Sequence, residues 1–276
     1  MSTRGADSRS RRALALAAEA VAIAGVPVVL AACIALHIQQ TAVLSLVVVL
    51  GCLAVFFAGF EQSRPRLRDT MPVAVLAALA AAGRILFAPI PSFKPVSAIA
   101  IIAGAAFGRR SGFLVGALAA LVSNFFFGQG PWSPWQMYGW GLVGWLGGVL
   151  AQMGLFGAGV GAVRAVAPQA VGEAGAPGSA AGSGAAGASA KPSAAQRAAL
   201  LGYGFLSGLL YGLILNVWSI VGFYHPETLG QAALVYAAAL PLDITHGIAT
   251  VVFLAALYFP WQRKLARVKR KFGLRL

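Results

Sequence analysis

The stretch MPVAVLAALAAAGRILFAPIPSFKPVSAIAIIAGAAFG, residues 71–108, decides the fold. Its first half, residues 71–90, is apolar apart from Arg84. At 1.5 Å per residue such a helix crosses about 30 Å of hydrocarbon. The loop PIPSFKP then turns the chain back, and residues 95–107 form a second apolar run that reaches only roughly 20 Å at the same rise. So short a span is either buried inside a bundle or opens into polar loops at membrane depth, where irregular backbone survives only under protein or water. Short, Gly-interrupted spans are also where a binding cavity is to be sought.

Working outward from this pair, apolar runs bounded by charge or by Pro and Gly predict eight spans: 13–36, 41–60, 71–90, 95–107, 112–127, 136–157, 198–223 and 231–259. Like 95–107, the run 112–127 is short, at roughly 24 Å. The predicted organisation is a basic cytoplasmic amino terminus (1–12), two additional transmembrane helices (13–60), a basic loop (61–70), a six-helix membrane domain (71–259) and a basic tail (260–276). Within the domain, residues 166–199 are almost entirely Ala, Gly, Ser and Pro, which cannot bury apolar area and predict a flexible cytoplasmic linker.

Composition agrees with an all-α integral membrane protein. Of 276 residues 59% are hydrophobic and only 10% charged, against about 25% charged in soluble domains. A water-soluble enzyme is thereby excluded. The formal charge of +14 is explained by sidedness: threading the spans from a cytoplasmic amino terminus leaves all but two of the 21 Lys and Arg residues on the cytoplasmic face. Both termini are then inside, the basic tail lies against anionic lipid, and nucleic acid is not needed as a partner. The two exceptions are Arg84, within a span, and Lys94, in the outer loop. Cys33 and Cys52 fall at different depths of neighbouring spans, so no disulfide is expected, and no metal-ligand spacing exists.

Several motifs carry two readings. Ala74, Ala78 and Ala82 form a small-residue stripe, either plain composition or a docking surface for another membrane helix. The repeats Gly104, Gly108, Gly112, Gly116 and Gly204, Gly208, Gly212 point to helix packing. The stretch NFFFGQGPWSPWQMYGW, residues 124–140, is either an interfacial aromatic belt or the lid and wall of a site for a flat apolar ligand. In that stretch Trp132 and Trp135 supply rings, while Asn124, Gln129 and Gln136 give direction. Arg84, Asn124, Asn216, Asp243 and His246 are polar groups within spans, costly enough in a bilayer to be functional candidates. Asp243 and His246 share a helix face just after Pro241, which is expected to open the backbone; the structural alternative is an internal ion pair, for instance Asp243 with Arg84.

Residues 71–108 together with SNFFFGQGPWSPWQMYGWGLVGWLGG, residues 123–148, resemble the substrate-specific S component of energy-coupling factor (ECF) transporters. The resemblance runs over about residues 71–259, which makes the first two spans and the linker additions to a six-helix core. It implies a vitamin-binding membrane subunit, not an enzyme, that partners a transmembrane coupling subunit and two ATPases. The SFKP and GQGPWSPWQ stretches resemble the cobalamin branch. The pocket would lie on the outer side, closed by loops around Phe93 and Trp132, with Lys94 nearby, and the stripe Ala74 to Ala82 would face the coupling subunit. No cofactor is expected, and the chain has no Gly-rich phosphate loop followed by Lys with which to hydrolyse ATP. Two other readings remain: a scaffold whose aromatic loop binds a protein, and an intramembrane hydrolase using Ser207 with His246, although GFLSG lacks a strained nucleophile turn.

Overall fold

The computed structural model describes residues 17–29, 32, 41–62, 66–157 and 192–274. They are helical throughout, with no strand among them: α1 (Ala17–Val29), α2 (Thr41–Gln62), α3 (Leu67–Leu86), α4 (Val96–Phe107), α5 (Arg109–Phe127), α6 (Ser133–Gln152), α7 (Ala194–Ser219) and α8 (Leu229–Lys271). A π-helical turn, Ile220–Tyr224, closes α7. Four of these are long and apolar enough to cross a membrane: Leu67–Leu86, Arg109–Phe127, Ala194–Tyr224 and Leu229–Lys271.

Helix α4 is the axis of the molecule. It has no charged residue, and all twelve of its residues are buried among α3, α5, α6 and α8. Its shortness is therefore that of a core helix. Close crossing of α4, α5 and α6 depends on glycine: a Cβ at Gly144 would run into the Gly112 carbonyl, and one at Gly104 into Gly144 and Gly148. The Gly repeat is thus a packing device. Helices α7 and α8 form a second pair at the flank, meeting backbone to backbone at Gly208 and Gly247. The outward faces of the bundle are apolar, with Val75, Leu79, Leu86, Leu206, Leu213, Leu240 and Ile248 all exposed.

The two leading helices pack on this bundle. The Phe56 ring of α2 stacks on Phe113 of α5 with centroids 3.8 Å apart. Glu19 of α1, 3% exposed, accepts from Arg109 Nε at 2.8 Å, from Arg110 Nε and from Trp145 Nε1 at 3.2 Å. At the same end Arg66 pairs with Asp69 at 3.0 Å and donates to the Gly273 carbonyl at 2.8 Å. This is the basic end of the molecule, shared by the last turn of α8 with Lys269, Arg270 and Lys271.

Several expected boundaries move. Helix α5 starts at Arg109 and not at residue 112, because Gly108, at φ 96°, makes the whole break between α4 and α5 and leaves the arginines free to form the first turn. At 19 residues α5 is no longer short. The predicted linker ends earlier than 199: Ser193 and Gln196 form a reciprocal capping box, at 3.2 Å and 2.9 Å, that starts α7 at Ala194. The expected loop 61–70 shrinks because α2 runs to Gln62 and α3 begins at Leu67. Pro241 does not open the backbone; α8 continues through it and through Pro260 to Lys271, so most of the expected tail is helix. Cys52 is a buried free thiol, whereas Cys33, residues 1–12 and most of 166–199 lie outside the described residues.

Candidate functional site

At the end opposite Glu19, every helix from α3 to α8 contributes to one polar and aromatic centre. Arg84 reaches it from the last turn of α3, on the same inward stripe as Val73, Ala77 and Ala80. The residue is only 9% exposed. Its Nη1 donates to Ser123 Oγ and to Asn124 Oδ1, both at 2.6 Å, and its guanidinium carbon lies 4.6 Å from the Phe127 ring centroid and 4.8 Å from that of Trp140. Aromatic faces and neutral oxygens stabilise a cation without neutralising it.

Asn124 holds the α5–α6 connection together. While its oxygen accepts from Arg84, its amide donates to Ser133 Oγ at 3.0 Å and to Gln136 Oε1 at 2.7 Å. About two turns into α6, Trp140 stacks on Tyr211 of α7, with centroids 4.4 Å apart and planes 21° apart. The His246 ring meets Tyr211 edge-on at 4.8 Å and shares a 2.8 Å hydrogen bond with Ser97 of α4. Trp140 Nε1 is buried and has no acceptor.

The Arg84–Asp243 ion pair, the structural alternative for these residues, does not form. The Asp243 carboxylate packs against Gly212 and accepts from Asn216 Nδ2 at 3.2 Å, on the flank where α7 meets α8. Asn216, with Ser219, Tyr224, Leu234 and Val235, lines a groove of about 430 Å³ there. The polar residues predicted for one site therefore divide in two. Arg84, Asn124, Gln136 and His246 belong to the centre, while Asn216 lines the flanking groove and Asp243 is bonded to it.

Other expected site residues have local partners. The Lys94 ammonium turns back onto the carbonyls of Phe87, Ala88 (3.2 Å) and Ile90 (2.7 Å), satisfying the end of α3. Burial, and after it the Arg84 charge, hold the Lys94 pKa below the usual lysine value. Phe93 joins Phe87 and Phe253 in a ring cluster, with centroids 6.0 Å and 5.4 Å away. Gln129 donates to the Leu121 carbonyl at 2.9 Å, which ties down the loop. Trp132 is 40% exposed and lies over Gly130, whereas Trp135 is buried 6.2 Å from Trp218 and is no part of a lid. Ala74, Ala78 and Ala82 all face outward, while Ala77 and Ala81 turn into the bundle. Ser207 donates to the Gly204 carbonyl at 2.8 Å, and the serine bonded to His246 is Ser97.

Ser97, Ser123, Ser133, Trp140 and Tyr211 complete the centre without having been singled out. The serines carry no spacing signal in an apolar helix. Trp140 and Ser133 lie within the aromatic stretch already quoted, but only the tertiary fold separates Trp140, facing the centre, from Trp135.

These residues fall within a recognised sequence family, matched over residues 64–269. The chain belongs to DUF6580, a family of unknown function. The matched region begins just before α3 and takes in every residue of the polar centre, while α1 and α2 lie outside it. No curated protein and no solved structure matches this DUF6580 chain.

Proposed function

We propose that this DUF6580 chain is a multi-pass cell-membrane protein, both termini cytoplasmic, that serves as the substrate-binding subunit of an ECF-type importer. In this reading α3 to α8 are the six-helix binding domain and α1 and α2 are additions. The ligand is a vitamin or related micronutrient, cobalamin being the leading candidate, and uptake is driven by a transmembrane coupling subunit with two ATPases. The observation that carries the reading is the Arg84 centre: a buried cation, walled by aromatic rings and directed amides, at the end of the bundle away from the arginine clusters. Intramembrane charge is rare and marks ligand pathways. By the positive-inside rule that end is the outer one. The outward Ala74, Ala78 and Ala82 stripe is where the coupling subunit would dock.

The test is capture and uptake. Tagged protein solubilised from its native membrane should carry an integral membrane subunit and an ATPase pair, and its deletion should abolish growth that depends on external cobalamin or another scavenged vitamin. Capture of no ATPase, together with unimpaired vitamin uptake in the deletion strain, would reject the importer reading and favour the scaffold alternative.

A further inference from the structure

The donors and acceptors of the Arg84 centre do not balance. Arg84 spends one nitrogen, Nη1, on two neutral acceptors, Ser123 and Asn124, and packs against the Phe127 and Trp140 rings. Among the described residues each buried acid is already engaged elsewhere: Glu19 by Arg109 and Arg110, and Asp69 by Arg66. Asp243, half-buried, is held by Asn216, and Glu61 and Glu227 are exposed. No carboxylate of the described residues is paired with Arg84. A second, independent observation lies on the ring that Arg84 covers: Trp140, 3% exposed, has an indole N–H with no acceptor. Both deficits have the same sign, because the protein supplies donors and positive charge where acceptors and negative charge are missing.

We infer that the ligand of this centre carries an oxyanion, a carboxylate or a phosphate, that pairs with the Arg84 guanidinium and accepts the Trp140 N–H. A guanidinium presents a planar fork suited to two oxygens at once, and Nη1 alone is occupied by Ser123 and Asn124. The ligand's remaining body is apolar enough to lie against Phe127, which is 40% exposed, because Trp140 is already covered by Arg84 and the stacked Tyr211 ring. An oxyanion also explains why the centre tolerates Arg84 at all, since pairing removes the cost of an isolated buried charge. This inference rests on the reading of the chain as a binding subunit and narrows its ligand to an acid.

Benzoate and benzamide, which share a ring and differ in charge, test it. Full-length protein is washed free of bound small molecules in dodecyl maltoside, a detergent without phosphate, and titrated with each compound while tryptophan fluorescence is followed. The expected result is saturable binding of benzoate at least tenfold tighter than benzamide, lost in Arg84→Gln, largely kept in Arg84→Lys and weakened about threefold in Trp140→Phe. Unchanged thermal unfolding of the variants excludes misfolding as the cause. Inorganic phosphate and phosphatidylglycerol are then added as competitors: displacement by phosphatidylglycerol alone places the oxyanion on a lipid headgroup, and displacement by phosphate places it on a soluble ligand, the inferred chemistry holding in both. Equal binding of benzoate and benzamide, or benzoate binding that survives Arg84→Gln, would overturn the inference while leaving a binding pocket in place. Binding of none of these anions would overturn it too, and the ATPase capture experiment still decides the importer reading by itself.

Discussion

The two ends of the bundle both bury arginine or its partner, and they solve the electrostatic problem differently. At the basic end Glu19 is sealed between Arg109, Arg110 and the Trp145 indole, so charge meets opposite charge and α1 is fastened to the turn between α4 and α5. At the aromatic end Arg84 meets only hydroxyl, amide and ring faces. A compensated cluster holds structure together, while an uncompensated one is a stability cost that persists where function needs it. Removing a charge should therefore have opposite consequences at the two ends.

The largest loss of stability is expected from Glu19→Ala. Two arginines lose their carboxylate and Trp145 its acceptor, which should cost roughly 2–3 kcal/mol after allowing for the partial exposure of the arginines. Thermal unfolding in detergent reads this directly, and ligand affinity should stay within about twofold. A Glu19→Ala protein as stable as its parent would show that the basic end is not a structural latch.

Asn124→Leu comes next. It removes one of the two acceptors for Arg84 and both N–H groups that bind Ser133 and Gln136, leaving buried polar groups unpaired at about 1–3 kcal/mol. Because the same residue orders the centre, binding should fall together with stability; if only stability falls, the α5–α6 connection is structural and the centre is less tightly organised than the hydrogen bonds indicate.

Arg84→Gln sharpens the contrast most. Glutamine keeps a donor for Ser123 and Asn124 and removes the lone charge, so the ligand-free protein should unfold within about 1 kcal/mol of the parent, or later. Destabilisation as great as that of Glu19→Ala would erase the distinction between the two ends. The smallest effect on stability is expected from Ala78→Leu, which changes an outward-facing position and should stay within about 0.5 kcal/mol. Its proposed consequence is at the partner: capture of the coupling subunit should fail. Intact capture would reduce the stripe to composition.

Much of the fold was legible because apolar runs and glycine spacing report burial and close approach directly. Residues 95–107 read either as a core helix or as a span opening into polar loops, and the structure encloses Val96–Phe107 fully, which selects the first. Capping was the weaker signal: Ser193 with Gln196 starts α7 inside what composition alone marks as linker, and Gly108 by itself turns the chain before Arg109. At the site, Arg84 and Asn124 stood out because polar groups in apolar runs are conspicuous, and they meet. Their pairing partners were not legible. Asp243 and Arg84 are both rare charges in spans, which suggested an ion pair, but the turn of α8 that carries Asp243 packs on Gly212 and directs it to Asn216. Glu19 passed unnoticed because an acid in an apolar helix takes its meaning from Arg109 and Arg110, some 90 positions away in sequence.

The most direct test of the account is native mass spectrometry of the full chain released from its own membrane, beside the Arg84→Gln chain prepared in the same way. The parent should carry one small molecule, and that molecule, freed and identified, should bear a carboxylate or a phosphate; the Arg84→Gln chain should fly empty and unfold no earlier than the parent stripped of its ligand. A parent that carries nothing, or a neutral molecule retained equally by both chains, would contradict the assignment of Arg84 as the ligand's counter-charge.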